Sequence, residues 1–290
     1  MAGFLELSFD LGALDPQTAE DVCFACGASA VTLVDAQDEA VLEPLPGEIR
    51  LWHATRLQAL FADTNAVLAQ GLGAQLGLDP AAIMTRHLAD RAWEREWLKD
   101  FHAMRFGTRL WICPRHEQVT DSQAVVVALD PGLAFGTGTH ASTALCLSWL
   151  DGQLAVGAQV IDYGCGSGVL AIAAAKLGAR AVHCFDIDPQ ALLATQENAA
   201  ANGVAQRVKV HAEAASLPRG TDVVLANILC GTLCALAPAF AQLLRAGGEA
   251  VLAGLFEHEV PDVTAAYHAC FDVRRFGGRD GWAVLTARRH

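Results

Sequence analysis

The segment Val160-Ile161-Asp162-Tyr163-Gly164-Cys165-Gly166-Ser167-Gly168 constrains this chain more than any other, because an apolar strand runs straight into three alternating glycines. A backbone without side chains can turn tightly there and lie against a ligand. Residues 169–177 then read as an alanine-rich helix closed by Gly178. Residues 181–185 read as the next strand, which delivers Asp186 where a doubly wound sheet places the carboxylate that takes ribose hydroxyls. The spacing predicts a strand, loop and helix built around a nucleotide-like ligand. A turn that serves packing alone explains one or two glycines better than three.

Residue identity excludes two familiar loops. A dinucleotide fingerprint needs a glycine where Val169 stands, and a Walker loop needs a lysine that the segment lacks. What remains resembles the class I methyltransferase pattern, an acidic residue followed by x-Gly-x-Gly-x-Gly. That resemblance implies S-adenosylmethionine as the cofactor. Asp162 would then orient the loop or the methionine ammonium, Gly164 and Gly166 would let the backbone lie along the cofactor, and Asp186 would hold the ribose. Asp188 competes for the ribose, but its place immediately before Pro189 is better explained as a helix N-cap.

With 290 residues, 53% of them hydrophobic, the chain has room for two domains with real cores. Its 32 acidic against 20 basic residues leave a formal charge of −12, which repels a phosphate backbone and favours a basic partner. The opening Met1-Ala2-Gly3-Phe4-Leu5-Glu6 lacks a basic start and a sustained apolar run, and no long uncharged apolar segment follows. Neither a signal peptide nor a membrane span is expected. The nine cysteines are an odd set spread through candidate cores, which suits free thiols in a reducing cytoplasm. Cys23-Phe24-Ala25-Cys26 has redox spacing but falls within a predicted helix, so both cysteines read as small hydrophobes, as do Cys230 and Cys234.

Residues 1–88 predict strands near 5–9, 31–34, 56–61 and 83–88, with one helix capped by Asp15-Pro16 and another over about 64–76. This β-α-β-β-α-β order is that of a ferredoxin-like α+β domain. It carries no catalytic constellation and reads as a recognition module. Residues 89–105 form a connector in which Trp93 and Trp97 stand one helical turn apart. Residues 106–290 alternate strands and helices, as a parallel sheet covered on both faces requires. After the Asp186 strand come a helix from Asp188-Pro189 to about Asn202, strands at 207–211 and 221–226, and a helix to Arg245. A Gly247-Gly248 turn, a fifth strand at 250–254 and a closing hairpin of 271–276 with 282–287 complete the pattern.

Two further segments carry candidate chemistry. Residues 130–143 are rich in glycine, with no basic residue to cradle phosphate and no second histidine at metal-ligand spacing. They read as a lid over the cofactor, with Phe135 and Thr143 as contacts and Thr139 capping a helix that begins at His140. Asn227-Ile228-Leu229 ends the fourth strand of this region. An asparagine carbonyl there can accept a hydrogen bond from an amine and aim the nitrogen lone pair at a methyl group. Many amino methyltransferases carry Asn-Pro-Pro-Tyr at this point, the aromatic ring stacking on a planar nitrogen. Ile228 and Leu229 point instead to tetrahedral amines, of the lysine or N-terminal kind. A cap for the following helix is an alternative role for Asn227.

Taken together, these segments resemble the bacterial protein N-methyltransferases that act on ribosomal protein L11 of the large subunit. The resemblance extends to Glu43-Pro44-Leu45-Pro46-Gly47-Glu48, the Trp93 to Trp97 segment and Arg109-Leu110-Trp111-Ile112-Cys113-Pro114. It implies an α/β class I methyltransferase fold, a doubly wound seven-stranded sheet with one antiparallel strand beside the fifth, behind the ferredoxin-like domain. It also implies trimethylation of lysine and N-terminal α-amines on one basic ribosomal protein, free or before assembly, with no nucleic-acid substrate, membrane or metal. The small domain would grip that protein while a flexible link lets the catalytic domain reach several amines. Thr143, Gly164, Asp186 and Asn227 match the family's cofactor contacts. No general base is evident, and water suffices. The rivals are a methyltransferase of nucleic acid or a small molecule, a nucleotide-binding oxidoreductase, and a noncatalytic adaptor.

Overall fold

The computed structural model describes residues 3–37, 52–62, 67–89, 102–129 and 140–290. The chain divides into two compact units, residues 1–93 and 94–290. In the first, β1 (Gly3–Asp10), α1 (Pro16–Ala25), β2 (Ala30–Asp35), β3 (Thr55–Phe61), α2 (Val67–Leu76) and β4 (Met84–Ala89) follow in that order. The antiparallel sheet runs β2-β3-β1-β4, with the first strand in the middle as the ferredoxin-like order requires. Alternation decides its buried face: Leu5, Leu7 and Phe9 stand opposite Phe61, Ala59 and Leu57, and all six are buried. Asp15 caps α1 by accepting from the Thr18 amide at 2.9 Å, with Pro16 at the first helical position.

The second unit opens with a small sheet that the strand pattern does not reveal. Its members are β5 (Met104–Phe106), β6 (Leu110–Cys113) and β7 (Val125–Ala128), ordered β5-β6-β7. The expected connector of residues 89–105 therefore ends early, since Met104 and Arg105 already pair with Ile112 and Trp111. Its Trp93 and Trp97 lie outside the described residues, as do Glu43 to Glu48. Asp151, on the helix α3 (Ala141–Gln153), accepts from the Thr108 hydroxyl at 2.9 Å and ties the β5–β6 turn to that helix.

The main sheet comprises β8 (Gln159–Tyr163), β9 (Ala181–Phe185), β10 (Val208–His211), β11 (Thr221–Asn227), β12 (Leu244–Phe256), β13 (Phe271–Arg279) and β14 (Trp282–Arg289). The order is β10-β9-β8-β11-β12-β14-β13. Neighbours pair in parallel except for β14, which runs antiparallel to both β12 and β13. The helices α4 (Val169–Lys176), α5 (Pro189–Ala201), α6 (Cys230–Leu243) and α7 (Val260–Tyr267) complete the unit. Successive strand residues feed opposite cores. Val160, Leu225 and Val251 join α3 and α4 on one side, while Ile161, Val224 and Leu252 join α6 and α7 on the other. The fifth strand begins earlier than the glycine turn suggests. The register jumps between Leu244 and Glu249, so Gly247 and Gly248 form an irregularity within β12. Asp280 and Gly281, both at positive φ (51° and 80°), close the terminal hairpin with the two-residue turn that matches strand twist.

A polar relay crosses the β8–β9–β10 edge of the sheet. Arg180 donates to Gln159 Oε1 (3.3 Å), Gln159 Nε2 meets His183 Nε2 (3.2 Å), His183 Nδ1 meets His211 Nε2 (3.0 Å), and His211 Nδ1 meets Ser216 Oγ (3.0 Å). This chain of single donors is satisfied only with both imidazoles neutral. Burial, aided by His211 and Lys209, pushes His183 down to about 4. Between the ordinary 6.5 and about 4 the unfolded state binds the extra proton, so this stabilisation is complete above 6.5 and is lost as pH falls. The stability difference between the protein and His183→Gln should shrink by about 2–3 kcal/mol from pH 7.5 to 4.5. Urea midpoints at each pH measure it, and a constant difference would count against the relay.

Candidate functional site

The strand order reverses beside β8, whose neighbours β9 and β11 lead to opposite halves of the sheet. Such a switch point opens a crevice at the carboxyl ends of the strands, where doubly wound sheets bind ligands. The glycine loop leaves β8 there. Gly164, Gly166 and Gly168 have φ values of 79°, 53° and 78°, a region that side chains rarely adopt. Packing adds a second reason for two of them. A Cβ on Gly164 would strike the Ile228 side chain, and one on Gly168 would lie 2.8 Å from Thr195 Oγ1. At these two positions the protein itself occupies the space.

Asp162, inside β8, is 1% exposed. Its Oδ2 accepts from the Ala171 amide at 3.0 Å, satisfying one of the orphan donors of α4, whose N-cap Gly168 has no side chain to do so. Its Oδ1 is buried without a hydrogen-bond partner. Burial pushes the carboxyl up to about 7, and nearby Asp186 adds to the rise. Asp186 follows β9 and accepts from two amides, Gly166 at 2.9 Å and Asp188 at 3.0 Å, one on each oxygen. A carboxylate has about four acceptor positions, so two remain for a diol. Asp188 accepts from the Gln190 amide at 2.9 Å and is the N-cap of α5.

Asn227 ends β11, and its Nδ2 donates to Thr143 Oγ1 at 3.1 Å. Thr143, 1% exposed, lies in the first turn of α3. The amide nitrogen is thus engaged, and the carbonyl oxygen is the end left to accept. The N-cap of α6 is Leu229, without a side-chain cap bond, so the helix-cap alternative for Asn227 does not hold. The Asn227-Ile228-Leu229 turn is seated by two glycines. Ile228 covers Gly164, and its backbone passes so close to Gly254 (φ 84°) that any Cβ there would overlap it.

His140 is itself the N-cap of α3, accepting from the Ser142 amide at 3.3 Å, and the helix starts one residue later than expected. Its ring meets the edge of Trp282 at 4.5 Å, and Trp282 stacks on Phe256 at 4.0 Å. Neither aromatic carries a sequence signal, because they come together only by pairing β12 with β14. Ile187, directly after Asp186, is 90% exposed, and no sequence pattern marks it. Phe135 and the rest of residues 130–139 lie outside the described residues. Among the described residues no group of acidic, histidine and cysteine side chains could hold a metal ion, and all nine cysteines are free.

The family model described as Ribosomal protein L11 methyltransferase (PrmA) matches residues 3–290. The chain belongs to the ribosomal protein L11 methyltransferase family. A Vibrio cholerae serotype O1 member is 47% identical over 268 residues, covering 91% of this chain and 90% of its own. A Pseudomonas aeruginosa member is 47% identical over 277 residues, covering 94% of each. The crystal structure of a ribosomal protein L11 methylase from Lactobacillus delbrueckii subsp. bulgaricus is 31% identical, with a TM-score of 0.60 over 66% of this chain and 100% of that one. This protein is a class I methyltransferase whose cofactor is S-adenosylmethionine.

The residues present suit that cofactor. The glycine loop offers bare backbone, Asp186 retains acceptor positions suited to a ribose diol, and the orphaned Asp162 oxygen suits a cationic donor. No helix among the described residues is long and apolar enough to cross a membrane.

Proposed function

We propose that this protein methylates lysine side-chain amines and the N-terminal α-amine of ribosomal protein L11 in the cytoplasm, carrying them to the trimethylated state. The observation that carries this reading is the Asn227–Thr143 hydrogen bond, which leaves an amide carbonyl at the end of β11 as the acceptor for an amine. The aliphatic pair Ile228 and Leu229 beside it suits a tetrahedral nitrogen, which has no plane to stack. The net charge of −12 favours a free, basic protein over nucleic acid. The names of the 47% identical relatives point to the same substrate.

The sulfonium of the bound cofactor supplies an electrophilic methyl group. The chain contributes placement. Asp186 holds the ribose, Asp162 meets the ammonium, the backbone of Gly166 lies along the cofactor, Gly164 makes room for Ile228 of the Asn227 turn, and Thr143 completes the contacts. The amine must arrive neutral, from a reference pKa of about 10.4 for lysine or about 7.7–8.0 for an α-amine. In the first two transfers Asn227 accepts one amine N–H and thereby turns the lone pair into line, and water takes the released proton; the neutral dimethylated amine has no N–H, so its third transfer neither uses that contact nor releases a proton. The first unit, whose sequence carries no catalytic constellation, grips the ribosomal protein.

Incubation with methyl-labelled S-adenosylmethionine should place label on ribosomal protein L11 and none on ribosomal RNA, with intact-protein mass spectra showing trimethylated amines. Label on RNA alone would overturn the reading. Removing residues 1–88 should preserve cofactor binding and abolish L11 modification, because Gly164, Asp186, Thr143 and Asn227 all remain. Full-rate modification by that truncated protein would remove recognition from the first unit.

A further inference from the structure

Helix α5 carries Thr195 and Asn198, and its C-cap is Asn202, which puts the three at i, i+3 and i+7 as a polar stripe along one side. Thr195 is fully buried, and its neighbours on the inward side are Ala191 and Ala199. A hydroxyl in such a place normally bonds back to its own helix. Thr195 instead donates to the Gly166 carbonyl at 3.0 Å, and Asn198 Nδ2 donates to the Ser167 carbonyl at 3.0 Å. Asn202 repeats the device on β7, accepting from the Ala128 amide at 2.8 Å and donating to its carbonyl at 2.7 Å.

Three consecutive peptide planes of the glycine loop are thereby held by side chains. Asp186 takes the Gly166 amide, Thr195 the Gly166 carbonyl and Asn198 the Ser167 carbonyl. Glycine loses more conformational freedom on ordering than any other residue, so a loop with Gly164, Gly166 and Gly168 gains most from external restraint. Gly168 is shaped for the same contact, since the space of its missing Cβ is taken by Thr195. We propose that Thr195 and Asn198 are positioning residues for S-adenosylmethionine binding, which set the loop's shape before the cofactor arrives. They act through the backbone of residues 165–168, and a pre-ordered loop binds more tightly because its ordering cost is met in folding.

Calorimetric titration of the full chain with S-adenosylmethionine tests this. Thr195→Val keeps the shape and removes the donor, and should weaken binding about threefold to tenfold, the effect of one lost hydrogen bond. Thr195→Ser keeps the donor and should stay within about twofold of the parent. Asn198→Leu should weaken binding as Thr195→Val does, and both losses should come with faster amide exchange at Gly166 and Gly168. Binding within about twofold of the parent in both Thr195→Val and Asn198→Leu, whatever their melting temperatures, would overturn the proposal. Should Thr195→Val fail to fold, Asn198→Leu, at a half-exposed position, decides alone.

Discussion

Asn227→Ala is expected to slow methyl transfer in a single turnover by about a hundredfold, while S-adenosylmethionine still saturates the enzyme. The alanine removes the amide that donates to Thr143 at 3.1 Å and the carbonyl that would accept the amine. A misplacement of about 1 Å at the attacking nitrogen is enough for a loss of that order. Lysine and α-amine targets should suffer alike, since both present a tetrahedral nitrogen to the same oxygen. Backbone damage should be small, because Leu229 rather than Asn227 caps α6. Rapid-quench transfer rates with cofactor saturating give the answer, and unchanged rates on both targets would leave the aiming group to be found elsewhere.

Asp186→Ala should weaken S-adenosylmethionine binding by about 1.5–3 kcal/mol, the range for a hydrogen bond to a charged group. The structure enlarges the reason, for the same carboxylate also holds the Gly166 amide and so shapes the loop. Asp188→Ala should leave affinity nearly unchanged and lower stability by about 1 kcal/mol, the ordinary cost of an N-cap. Isothermal titration of the two variants separates these effects, and equal affinities would remove Asp186 from the ribose.

Much of the framework was legible in the chain. Alternation in residues 5–9 and 56–61 marked the strands of the first unit because one face of that sheet is buried and the other is not. Asp15-Pro16 and Asp188-Pro189 marked helix starts because a cap and a proline act locally, whatever surrounds them. The small β5-β6-β7 sheet leaves little periodic signal because its strands are only three or four residues long. The start of β12 is hidden in the sequence because Gly247 and Gly248, ordinarily turn signals, are accommodated inside a strand pairing that jumps register. Residue preference favours Thr139 as the cap, yet His140 takes that place through its imidazole.

The sequence by itself determined the positions that rest on local backbone chemistry: where chains turn, which strands end in glycine, and which carboxylate follows β9. Tertiary structure alone decided which of those residues serve one another. Thr143 and Asn227 stand 84 positions apart, yet share a hydrogen bond. Ile228 is the reason Gly164 and Gly254 must lack side chains, and Thr195 is the reason for Gly168. Phe256 and Trp282 face each other only because β14 enters the sheet antiparallel beside β12. Periodicity records which way a residue faces, and turn chemistry records how the backbone bends. Neither records what packs against it, since that depends on strand order, which the long crossovers of a parallel sheet settle far along the chain.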